Sequence, residues 1–122
     1  MKAEADGLPK VGRSGRALGV RIDGPSPDLA VGQDGTVGPG SGGMSVALDA
    51  ALNLPKARLP RSLGGEGRDP VFRMVTANIP PALLVRQDRY PHALVEPSRR
   101  CPLAAFESDL ARTRPFWSKA HD

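Results

Sequence analysis

Glycine and proline together make up 27 of the 122 residues, 14 and 13 respectively, about twice ordinary usage. Proline removes a backbone donor and fixes φ, while glycine weakens the interior of any helix or strand. Regular elements must therefore be short and the connections between them long. Leu, Ile, Val and Phe supply another 27 residues, about 22%, just above the roughly 20% below which a chain cannot bury enough apolar surface to offset its ordering entropy. A single thin-cored domain is expected at this length.

One cysteine, Cys101, excludes an intramolecular disulfide, and two histidines leave no Cys/His cluster of zinc spacing. The net charge of +4 is spread evenly: residues 1–61 carry 8 basic and 6 acidic side chains, residues 62–122 carry 9 and 7. Nucleic-acid binders usually cluster basic residues with interleaved aromatics. Here five aromatics are scattered from Phe72 to Trp117, so an anionic small ligand or an acidic protein partner accounts better for the charge. No apolar run reaches the roughly 18 residues of a membrane span, and the opening MKAEADGLPK lacks a signal-peptide core. Membrane insertion is not expected. A cytosol is the expected site of action, with export only by a route that needs no signal peptide.

Residues 1–15 show neither a 2 nor a 3.6 period and are expected to form a flexible arm ahead of one domain over 16–122. Residues 17–22 (ALGVRI) suggest a strand stopped by Asp23-Gly24-Pro25. Residues 29–31 and 36–37 flank Gly-Gln-Asp-Gly and suggest a hairpin turning at Asp34-Gly35. Residues 53–70 hold three prolines and three glycines, a loop long enough to be functional or mobile. Further strands are expected at 71–75, 83–85 and 93–95. Pro102 followed by Leu103, Phe106, Leu110 and Trp117 predicts a helix with one apolar stripe. Strands in series with a late helix predict an α+β fold.

Three segments resemble one family. They are residues 27–35 (PDLAVGQDG), leading through Pro39 to Gly42-Gly43-Met44-Ser45-Val46; residues 79–90 (IPPALLVRQDRY); and residues 92–97 (HALVEP), leading to the closing helix. In order and spacing they resemble the ADP-ribosyltransferase-like bacterial toxins typified by the second exported effector of the pseudomonad type VI secretion system. The likeness covers about residues 27–117, roughly three quarters of the chain. It implies a small ADP-ribosyltransferase-like core of short strands with a C-terminal helix, NAD as substrate, an unidentified modified target, and a cognate antitoxin or immunity protein, here an acidic one.

Breaking the nicotinamide-ribose bond develops positive charge on the ribose, which a carboxylate can stabilise. Glu96 is the best-placed acid and Glu66 the second; the plain alternative for each is an exposed glutamate. His92 can hydrogen-bond a ribose hydroxyl or a diphosphate, or cap the loop before a strand. Ser45 follows Gly42 and Gly43, where a ligand could meet backbone, or is a turn serine. Glu96, His92 and Ser45 form the candidate catalytic set. Gly42, Gly43, Arg21, Arg86, Gln87 and Tyr90 are the candidate NAD-binding residues, the arginines as planar donors to phosphate; Gln87 and Tyr90, with Asp88 between them, orient nicotinamide or simply build a turn. Arg73 is an alternative phosphate ligand, and Cys101, beside Arg99 and Arg100, has no evident partner base.

Two other readings stay open. A toxin of the same fold could act by binding without NAD chemistry, and a non-toxic regulatory domain would fit the small size.

Overall fold

The computed structural model describes residues 1–121 and has the expected α+β character. In chain order it contains β1 (Thr36–Val37), β2 (Met44–Ala47), β3 (Val71–Arg73), β4 (Leu83–Arg89), β5 (His92–Pro97), β6 (Cys101–Pro102), α1 (Leu103–Arg112) and β7 (Ser118–His121). The strands form three small antiparallel sheets, β1 with β6, β3 with β7, and a central β2-β5-β4 sheet. Among the described residues no helix is long and apolar enough to cross a membrane.

The central sheet follows from alternation. Val95 faces Met44 on one side and Val85 on the other, and Leu83 faces Pro97, so these residues share the face turned to the core. Against that face pack Leu18, Val20, Leu29, Val37, Phe72, Phe106, Leu110 and Trp117 in one apolar cluster. The helix contributes Phe106 and Leu110, its two buried residues, spaced four apart on one side. It ends at Arg112, before Pro115, and the chain continues through a single 3-10 turn, Arg114–Phe116. Trp117 therefore lies beyond the helix whose stripe it was expected to extend. It reaches the core by another route, donating from Nε1 to Thr113 Oγ1 at 3.0 Å while that hydroxyl donates to the Leu110 carbonyl at 2.6 Å.

Residues 17–22 form no sheet strand. Leu18 makes an isolated bridge to Val11, and Ala17, Leu18 and Val20 are buried. Packing, without a strand partner, explains their apolar character. The turn at residues 32–35 forms, with Gly35 N–H donating to the Gly32 carbonyl and the Asp34 carboxylate accepting from Thr36 N–H and Oγ1–H. The expected hairpin does not. Thr36 and Val37 pair with Pro102 and Cys101, while Leu29 bridges Gly42.

Residues 1–15, expected as a loose arm, are bonded to the body at several points. The Met1 amine donates to the Pro70 carbonyl at 2.9 Å, Lys2 N–H to Arg16 O, and Leu18 N–H to Lys10 O. Two arginine forks complete the attachment, Arg13 on Glu107 and Arg114 on Asp6, and Arg16, which follows the segment directly, is itself fixed by Asp69. Aperiodic sequence left these contacts invisible, because they are made by backbone groups and by charges far apart in the chain.

Candidate functional site

Side chains alternate across a strand and directly paired residues share a face, so the register of the central sheet sorts the candidate residues. Ser45 pairs with Leu94 and Leu94 with Arg86; Glu96 pairs with Leu84; His92 pairs with Ala47 and, past a bulge at Asp88, with Arg89. Ser45, Arg86, His92 and Glu96 thus come from three strands onto one face, the one turned away from the core. Gln87 pairs with Ala93 and lies on the opposite face, because a one-residue step reverses the side chain. It is separated from the group it was expected to join.

Glu96 is not the exposed strand-edge glutamate that its type suggests. Its side chain is 2% exposed. Arg86 Nε–H donates to Oε1 at 3.0 Å, and Gly40 N–H donates to Oε2 at 3.3 Å. The turn carrying Gly40 folds over this end of the sheet because Ser41 N–H bonds Gly38 O and Ser41 Oγ accepts from Gly38 N–H. Gly43 sits tightly over β5, where a Cβ would collide with the Val95 carbonyl oxygen, and Gly42, at φ +114°, would drive one into the Asp28 carbonyl. Both glycines are required for close approach of chain to chain. The Gly43 N–H itself donates to Asp28 O at 3.1 Å, so this amide is committed within the protein.

His92 is held by Asp88. Its Nδ1 lies 2.7 and 2.8 Å from the two carboxylate oxygens, and since an ionised carboxylate only accepts, Nδ1 carries the proton and Nε2 is left for an outside group. The hydrogen bond from His92 holds the Asp88 carboxyl below the usual aspartate range. Sequence order hides this pair, four residues apart but brought together across a hairpin end.

The remaining candidates are tied elsewhere. Tyr90 donates its hydroxyl to Asp49 at 2.6 Å, and that bond raises the phenol pKa, so the ring is a proton-bearing clasp on the β4-β5 turn. Arg21 grips Asp28 with its backbone N–H and guanidinium, next to Gly43 through the Asp28 carbonyl but with its fork engaged. Glu66 is exposed beside Lys56 at 3.5 Å. Arg73 is exposed on β3, in a different sheet. Burial pushes the Cys101 thiol up, with Asp109 adding to the effect, the opposite of nucleophile activation.

What the outer face presents is a basic, hydrogen-bonding strip: the exposed part of Arg86, 46% of its side chain, the Ser45 hydroxyl and His92 Nε2. Glu96 anchors Arg86 from beneath. Such a strip can hold an anionic or hydroxyl-bearing group, and the His92-Asp88 pair can accept a proton from it. No protein-family model matches the chain, and no curated protein matches it.

Proposed function

We propose that this chain is an ADP-ribosyltransferase-like toxin that engages NAD on the outer face of the β2-β5-β4 sheet, acts in a bacterial cytosol, and is held in check by an acidic immunity protein. One observation carries the reading. Ser45, Arg86, His92 and Glu96, drawn from three separate segments that resemble the toxin family, share a single sheet face. Arg86 binds phosphate oxygens, Ser45 and His92 bind ribose hydroxyls, and Glu96 positions Arg86.

A second reading is favoured by the enclosure of Glu96. A carboxylate that already accepts from Arg86 and Gly40 is poorly placed to meet a developing ribose cation, so the face would bind its target without turning NAD over. Expression without an inhibitor, followed by measurement of cellular NAD, separates the two. Growth arrest with NAD loss or target modification supports the transferase; arrest with neither supports binding; normal growth at verified soluble expression removes both.

A further inference from the structure

The long stretch read as a mobile or functional loop is folded on itself. Glu66 N–H donates to Lys56 O at 2.8 Å, Gly67 N–H to Leu59 O at 2.8 Å, and Gly65 N–H to Pro60 O at 3.0 Å. The closure is tight: a Cβ at Gly65 would strike the Leu59 carbonyl, and one at Gly67 would lie 2.8 Å from Arg58 backbone. Pro60 is buried and fixes the base. This framework borders an open, shallow concavity lined by Pro60, Arg61, Ser62, Gly67 and Arg68.

Its chemistry is one-sided. No carboxylate lines it, and the two acids of the stretch are engaged elsewhere, Glu66 by Lys56 and Asp69 by Arg16. Arg13, Arg16, Arg21, Arg86 and Arg114 each hold a carboxylate. The guanidinium groups of Arg61 and Arg68 have no hydrogen-bond or ion-pair partner among the described residues. Two unengaged guanidinium forks and a serine hydroxyl on a preformed loop match the oxygens of a phosphate group. The stretch 55–70 contains no aromatic residue on which a base could stack, which argues against a nucleic-acid strand.

We infer that the Pro60 to Arg68 loop is a binding site for the phosphate or diphosphate group of a small molecule, with Arg61 and Arg68 as the recognising residues and Ser62 as an added donor. It shares no residue with the outer face of the central sheet and does not rest on the function proposed for that face.

Titrating the full chain with inorganic pyrophosphate, followed by backbone amide NMR and calorimetry, tests it. The expected result is saturable binding with shifts centred on residues 60–68. Arg61→Ala and Arg68→Ala should each weaken it by about tenfold or more, the range for a charge-assisted hydrogen bond, while Arg61→Lys, which keeps charge but loses the fork, should lie between. Both side chains are exposed, so thermal melts of the variants should match the parent. Absence of binding into the millimolar range overturns the inference. So does an equal loss in Arg99→Ala, an exposed arginine outside the loop, because that result would mean only diffuse surface charge.

Discussion

Arg86 and Glu96 sit diagonally across the β4-β5 ladder, joined by a 3.0 Å bond from Nε to Oε1, with the glutamate side chain 2% and the arginine 46% exposed. The pair is asymmetric: removing the arginine strands a buried carboxylate on a single amide, whereas neutralising the glutamate removes the buried charge itself. Arg86→Ala should therefore destabilise by about 3 kcal/mol. Glu96→Gln keeps an acceptor for the Gly40 amide and should cost about 1 to 2 kcal/mol. Urea unfolding of the two variants measures both, and a larger loss for Glu96→Gln would contradict the assignment of Glu96 as a buried anchor.

The glycine-rich approach to β2 separates crowding from backbone strain. Gly40 (φ +89°) has open space where a Cβ would go, while Gly42 (φ +114°) and Gly43 face carbonyl oxygens. Gly40→Ala should cost about 1 to 2 kcal/mol, the penalty of a left-handed residue alone. Gly42→Ala adds the clash to that penalty and should cost more. Thermal melts of the two alanine variants should rank in that order; equal losses would show that the chain can relax away from Asp28.

The anchoring of Arg16, the residue that follows segment 1–15, should be acid-sensitive through Asp69. Its carboxyl is held below the usual aspartate range, first by the hydrogen bond from Arg16. A lowered folded-state pKa means the contribution is complete above the ordinary value near 4 and is lost as pH falls through the lower folded value. Wild type should thus exceed Asp69→Asn in stability at pH 6, with the gap narrowing toward pH 3. A gap unchanged over that interval would show that the Arg16 contact contributes nothing.

Much of the fold was legible because period-2 and period-4 apolar patterns report packing directly. The strands around Leu83 to Val85 and Ala93 to Val95 and the helix carrying Phe106 and Leu110 all appear. The misses share a cause. Thr36 and Val37 select Cys101 and Pro102 as partners, and Ser118 and Lys119 complete a sheet with Arg73 and Phe72; pairings across such distances leave no local trace. The site was half legible for the same reason. Residue type marked His92 and Arg86, but the hold of Asp88 on His92 and of Gly40 on Glu96 emerges only from the register of the hairpin and the folding of a turn. Gln87 shows the converse error, since one position along a strand reverses the face.

The proposed toxicity should depend on the outward groups and not on stability. Ser45→Ala and His92→Ala are expected to relieve growth arrest while their melting temperatures stay within a few degrees of wild type. Asp88→Asn should give partial relief, because an amide can accept from Nδ1–H but no longer stabilises a charged imidazole. Plating efficiency on induction, with soluble protein quantified in parallel, checks this. Full toxicity in both alanine variants would remove the outer face from the mechanism.

The most direct measurement is an NAD titration of the full chain followed by amide NMR. The expected result is saturable shifts at Ser45, Arg86, His92 and Leu94, on the outer face of the central sheet, with loss of those shifts in Arg86→Ala even where that variant remains folded. Shifts confined to residues 60–68, with the sheet face silent, would contradict it: the diphosphate would then be seated in the loop alone, and the face would have no part in recognising NAD.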